Sequence, residues 1–177
     1  MKIEEYKDLA SRTLAHLGDH KKDMSHMALG IVSEWGEMAK AGMNEDHVNV
    51  IEEHGDTNWF VACMCKLYNL GFTEIYNDAD VKFEKTHENE MFLSMFKVAG
   101  HVKDYLAYDR TIDRDELRKE LVFVVSYLKV IAKEEKFDYM ESLQKNIDKL
   151  RVRFPDRFTE EKANNRDLSA ERETLKN

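Results

Sequence analysis

Turn-forming residues are scarce in this chain, with one proline and seven glycines among 177 residues. That argues against a many-stranded β fold, whose short strands are joined by Gly- and Pro-rich turns. Cysteine is nearly absent. Cys63 and Cys65 stand two apart, and residues at that spacing on a helix do not face each other, which excludes a disulfide framework. The chain therefore reads as reduced and intracellular. No apolar run approaches the roughly 20 residues of a membrane helix, so no membrane partner is expected. Lys2, Glu4, Glu5, Lys7 and Asp8 crowd the start, unlike a secretory leader, and a cytoplasmic location is expected. Positive charge is also in deficit, with 27 Lys and Arg against 35 Asp and Glu and a net charge of −8. A nucleic-acid polymer needs a basic face and is not expected as a partner. A polyphosphate remains open to an acidic protein if metal ions bridge the charge.

Apolar residues make up 42% of the chain and charged residues 35%, enough for a core and unlike a disordered composition. The periodicity predicts an all-α fold, a helical bundle. Helices are expected over 3–17, ended by Gly18, and over about 22–41, broken by Gly42 and Asn44. A third is expected over about 46–70, ended by Gly71, and a fourth over 73–85 with Thr73 as N-cap. Further helices are expected over 91–106, 113–135 and 138–153, the last stopped by Pro155. Residues 159–177 are polar, with a short helical prospect at 169–175. They read as an arm that packs on a partner or frays.

The second half reads as a degraded copy of the first. A shift of 67 places Glu53 on Glu120, Phe60 on Tyr127, Lys66 on Lys133, Glu74 on Glu141 and Lys82 on Lys149. A shift of 64 places Gly36 on Gly100. The expected organisation is one domain over 1–158. An active repeat over about 1–85 is followed by a degenerate repeat over about 86–158, and the arm is 159–177. Any two helical hairpins align to some extent, which is the alternative.

Four acids are the informative feature. Glu34 and Glu37 are three apart, as are Glu53 and Asp56, so each pair shares a helix face. Gly30, Glu34, Glu37 and Ala41 form a stripe bordered by Leu29, Ile31 and Met38. Glu53, Asp56, Phe60 and Cys63 form another that runs into apolar positions. Both pairs are expected at the seam between antiparallel helices joined by the short link 41–46. Bare carboxylates there would repel and lose hydration, so something positive is expected among them. Hard dications take carboxylate oxygens, and Mg²⁺ fits, with Mn²⁺ as a substitute. The stripes hold no His or Cys pair, against zinc. Glu-x-x-His, wanted by di-iron bundles, is absent from both pairs. The alternative is four solvated surface acids.

These residues resemble a known family. The stretch ALGIVSEWGEMA at 28–39 and EEHGDTNW at 52–59 are similar to the MazG-type all-α nucleoside triphosphate pyrophosphohydrolases. Their ExxE, gap, ExxD pattern matches Glu34-x-x-Glu37, fifteen residues, then Glu53-x-x-Asp56. EYKDLASRT at 5–13, NIDKLRVRFPDRF at 146–158 and NRD at 165–167 are also similar to members from phages and bacteria. The chain departs from short members through its insertion of roughly 86–140. There Val98 and His101 stand where Glu34 and Glu37 would fall, and Phe123 where Asp56 would. Glu120 alone remains, so the second unit is not expected to hold metal. Its duplication resembles that of dimeric dUTPase-type relatives.

The resemblance implies Mg²⁺-dependent cleavage between the α- and β-phosphates, giving a nucleoside monophosphate and pyrophosphate. It implies Glu34, Glu37, Glu53 and Asp56 as metal ligands and Glu34 or Glu37 as the base. Lys149, Arg151 and Arg153 are candidates for phosphate contacts, the alternative being a helix end complementing its dipole. Asn146 is implied at base or sugar. Trp59 is a candidate base platform and Trp35 a lesser one, though both types are more often core. Met24, Met27 and Met38 read as core, and His54, between two acids, as solvated. His16 and His20 lack a third ligand. His26 and Thr13 are left between seam or cap and substrate. Substrates across the superfamily include dUTP, dCTP, dGTP, dATP and noncanonical triphosphates. A purine deoxynucleotide is favoured here, for nucleotide pool control, in a host cytoplasm if phage-encoded. A homo-oligomer, dimer or tetramer, is expected, with the site completed by a neighbouring chain or by 146–158. The competing readings are a dUTPase- or dCTPase-type member and a catalytically decayed helical interaction protein.

Overall fold

The computed structural model describes residues 1–79 and 88–176. Within them the chain forms nine helices and no strand. They are α1 (Ile3–Ser11), α2 (His20–Met43), α3 (His47–Leu67), α4 (Phe72–Asp78), α5 (Glu88–Tyr108), α6 (Arg114–Glu134), α7 (Tyr139–Arg153), α8 (Glu160–Asn164) and α9 (Leu168–Lys176). The all-α expectation holds. No helix of the described residues is long and apolar enough to cross a membrane.

Most boundaries follow from capping side chains. Asp19, Asp46, Asp113 and Asp138 accept backbone N–H groups at the starts of α2, α3, α6 and α7. A three-residue link, 44–46, turns α2 back onto α3, with Glu45 at φ 55°. The two helices meet closely at Gly30. A Cβ there would lie 2.2 Å from the Phe60 ring, so only glycine lets that ring lie against α2. α5 and α6 form a second packed hairpin, and α5 lies against α2. One core runs through both, from Tyr6, Met27, Ile31 and Met64 to Leu121, Leu128 and Leu143.

Three expectations are corrected. The first helix ends at Ser11, not near Leu17. The Ala10 carbonyl accepts the Thr13 hydroxyl (3.0 Å) and the Trp59 indole N–H (2.9 Å), which competes with continuing the helix. Residues 12–18 leave the axis and are pinned by Asp23, whose Oδ1 accepts the Leu17 N–H at 2.7 Å. Thr73 is not a cap, because α4 starts one residue earlier behind Gly71. The arm beyond 158 packs on its own chain within the described residues. α9 packs on α7 and α3 of its own chain, burying Glu171 and Leu175. Residues 80–87 lie outside the described residues, and with them the far end of the expected fourth helix, Lys82 and the 85/86 repeat boundary.

Candidate functional site

α3 carries Glu52, Glu53 and Asp56 on one flank, and three neighbours define what each acid faces. Toward α2, Glu53 meets Glu34 and Glu37. Carboxylate oxygens of these three all lie within 4.8 Å of one another. Glu53 is buried, Glu34 half-buried and Glu37 exposed at the cleft mouth. Such crowding raises proton affinity. Burial, then Glu34, Asp56 and Glu52, push the Glu53 carboxyl up to about 9. Burial also raises Glu34, helped by Asp56 and Glu37 and opposed by Glu53 and Lys149.

Toward α7, Asp56 takes a different role. Its Oδ1 accepts the Asn146 amide at 2.5 Å, and its Oδ2 accepts the Lys149 ammonium. Lys149 also donates to Glu52 Oε1 at 3.0 Å. Its side chain is only 1% exposed. Burial lowers the proton affinity of this lysine, but Asp56 and Glu52 outweigh burial and hold it above its ordinary value. The expected ring of four acids is therefore three glutamates plus an aspartate whose two oxygens are engaged by α7. Part of the positive charge expected at the seam is a lysine of the chain itself. The close passage of α7 depends on Gly55, where a Cβ would meet Asn146 Cβ at 2.9 Å and the Ser142 carbonyl at 3.1 Å.

His54 is not solvated, contrary to expectation. It is fully buried on the opposite face of α3, with Nε2 3.1 Å from the Leu128 carbonyl and Nδ1 2.7 Å from the Ser142 hydroxyl. Burial pushes its imidazole down to about 3, so it is neutral, with Nε2–H donating to Leu128. It ties α3 to α6 and α7 behind the acids.

The acids open into a cleft of about 300 Å³. Glu34, Glu37, Glu53, Asp56 and Glu52 line one side, Arg153 and Arg166 another. Trp59, Phe60, Leu150, Phe154 and Phe158 supply apolar surface between them. Trp59 reaches the cleft as a ring only, because its indole N–H is committed to Ala10 and Thr13. His26 also borders the cleft, edge-on to Phe60 at 5.5 Å. Burial lowers its imidazole, with Asp23 opposing, and its Nδ1 is buried without a hydrogen-bond partner among the described residues.

Of the residues singled out from sequence, Glu34, Glu37, Glu53, Asp56, Trp59 and Arg153 line the cleft. Asn146 and Lys149 stand behind it, bound to Asp56. Arg151 is not brought there. It is half exposed and pairs with Asp148 at 3.0 Å. Trp35 packs between Phe92 and Tyr127, away from the cleft. Sequence reasoning assigned no role to Glu52, Phe154, Phe158, Arg166 or Glu171. Arg166 lay inside the NRD stretch that carries the resemblance, the one signal that could have found it. In comparisons with known proteins, no family model, no curated protein and no solved structure matches the chain.

Three glutamates, to which no lysine or arginine is bound among the described residues, fit a hard dication by their chemistry. Oxygen is what Mg²⁺ and Mn²⁺ take.

Proposed function

We propose that the chain is a Mg²⁺-dependent nucleoside triphosphate pyrophosphohydrolase that releases a nucleoside monophosphate and pyrophosphate. The observation that carries this reading is the convergence of Glu34, Glu37 and Glu53 on one wall of a cleft that also presents arginines. An acidic trio suits a cation, and the arginines suit the phosphates that such a cation would accompany. The sequence resemblance supports the same chemistry.

Glu34, Glu37 and Glu53 would hold the metal, which supplies charge neutralisation for the phosphate oxygens and the departing pyrophosphate. The rest falls to the chain. Glu37, the exposed member of the trio, would take a proton from water at the cleft mouth. The water oxygen bonds to phosphorus, the bridging P–O bond between the α- and β-phosphates breaks, and pyrophosphate leaves with that electron pair. Lys149 offsets one of the two charges of Asp56 and Glu52, so the wall behind the trio repels an anionic substrate less. Trp59, Phe60, Phe154 and Phe158 give a nucleoside an apolar bed. A purine deoxynucleotide is the favoured substrate, and a role in nucleotide pool control follows from that chemistry.

The test is a panel of the common ribo- and deoxynucleoside triphosphates, dUTP included, with Mg²⁺. Pyrophosphate and orthophosphate are scored separately. Pyrophosphate from one or a few substrates, lost in Glu53→Gln with the fold intact, is the expected result. No pyrophosphate from any of them with bound metal would favour a binding protein that keeps the fold without the reaction.

A further inference from the structure

The C-terminal arm does more than cover α7. Arg166 sits in the link between α8 and α9 and faces the same cleft as Arg153, which ends α7. Both arginines converge on one carboxylate. Arg153 Nε donates to Glu171 Oε1 at 2.9 Å and its Nη2 to Oε2, while Arg166 Nη2 donates to that same Oε2 at 2.8 Å. Glu171 itself is 2% exposed.

We propose that Arg166 and Arg153 form a phosphate-binding clamp for the triphosphate end of the substrate, with Glu171 as the residue that positions both. This rests on the nucleoside triphosphate reading above.

Charge bookkeeping supports the clamp. Two guanidinium groups on one carboxylate leave a net positive charge facing the cleft. The fork from Arg153 already matches the charge of Glu171, so Arg166 both strengthens the cluster and adds a second positive charge that Glu171 does not cancel. Arg166 remains 40% exposed at its side chain and open to a ligand. A guanidinium with one edge held by a carboxylate presents its other N–H groups in a fixed plane, which matches phosphate oxygens.

The link is also held at both ends, which fixes the clamp before any ligand arrives. At the α8 end, Asn165 donates its backbone N–H at 3.0 Å and its side-chain amide at 2.9 Å to the Glu161 carbonyl. Asp167 caps α9 by accepting the Ala170 N–H at 3.0 Å. Lys145 of α7 donates to the Leu175 carbonyl at 2.9 Å, and Leu175 is buried. The acidic trio and the clamp are thus supplied by one chain, with the far wall from its own C-terminal arm rather than from a neighbour.

The experiment measures binding of inorganic triphosphate, with Mg²⁺ present, to the full chain by calorimetry. Mn²⁺ binding without phosphate is measured in parallel. Arg166→Ala is expected to weaken triphosphate binding about tenfold or more, as loss of a charge-assisted hydrogen bond implies. Arg166→Lys should restore part of it, because charge returns without the fork. Glu171→Gln should also weaken it with both arginines present. Mn²⁺ affinity should be unchanged in all three variants. Equal triphosphate affinity in wild type and Arg166→Ala would overturn the clamp and leave the proposed reaction standing. A wild type that binds Mn²⁺ but no triphosphate would overturn both.

Discussion

Lys149 of α7 donates to Asp56 of α3 from a position almost sealed from solvent, and it shares Glu52 as a second partner. A buried cation between two acids is stable only while all three are present. Lys149→Met should therefore cost about 3–5 kcal/mol, the usual effect of stranding buried charges. Pairing it with Asp56→Asn should recover part of that loss. Urea unfolding of the single and double variants reads both. A single variant as stable as wild type would mean that water already screens this pair.

Metal binding should release a proton. With its carboxyl pushed up to about 9, Glu53 is protonated in the metal-free protein at neutral pH. A dication needs the carboxylate, so binding at pH 7 should liberate about one proton per site. Affinity should rise with pH and level off above about 9. The linked stability runs the other way. Between about 4.5 and 9 the metal-free folded state holds a proton that the unfolded chain has lost. This group's contribution is therefore fully present below about 4.5 and disappears as pH approaches 9. Stabilisation by Mg²⁺ should grow across the same window. Calorimetry in buffers of different ionisation enthalpy measures the proton directly. Zero release would mean that Glu53 is already ionised and the trio stands apart.

Much of this arrangement was legible in sequence, and the limits have physical causes. The apolar period and the i,i+3 acids are local signals: the period predicts helices where most of α2, α3, α6 and α7 lie, and the spacing marks Glu34, Glu37, Glu53 and Asp56 as candidates. Contacts between distant segments are not local. The end of α1 depends on Trp59 reaching Ala10 across 49 positions. His54 lies between two acids in sequence but on the other face of its helix, where Leu128 and Ser142 meet it. Asp56 shares the periodicity of Glu53, yet α7 arrives on its side and α2 on the other. The arm reads from sequence as one that packs on a partner or frays, because apart from Leu175 its buried contact is a salt cluster whose polar residues carry no apolar period.

Gly55 tests how tightly α7 must approach. Gly55→Ala puts a methyl 2.9 Å from Asn146 Cβ and 3.1 Å from the Ser142 carbonyl. Backbone cannot yield as a flexible side-chain tip can, so the helices must separate. The expected loss is about 1–3 kcal/mol. The Asn146–Asp56 hydrogen bond should weaken with it, and metal affinity should shift more than in an exposed Gly42→Ala control, whose added Cβ meets nothing within 4 Å. Denaturation and Mn²⁺ titration of both variants check this. Equal stability of the two would show that α7 can relax outward without cost.

Acid should release the arm before it unfolds the core. The Arg153 and Arg166 hydrogen bonds outweigh the effect of burial and hold Glu171 down at about 2. A carboxyl depressed in the folded state contributes stability above its unfolded value of about 4.5. That contribution is lost as pH falls from about 4.5 to about 2. Because Arg166 is partly exposed, solvent screening reduces the effect to about 1–2 kcal/mol. Hydrogen exchange should show α9 amides opening in this window ahead of those in α3. In Glu171→Gln the arm is weakened at neutral pH already and should lose that added acid sensitivity. An α9 that opens only together with α3, in wild type and variant alike, would mean that Leu175 and the α7 packing hold the arm without the salt cluster.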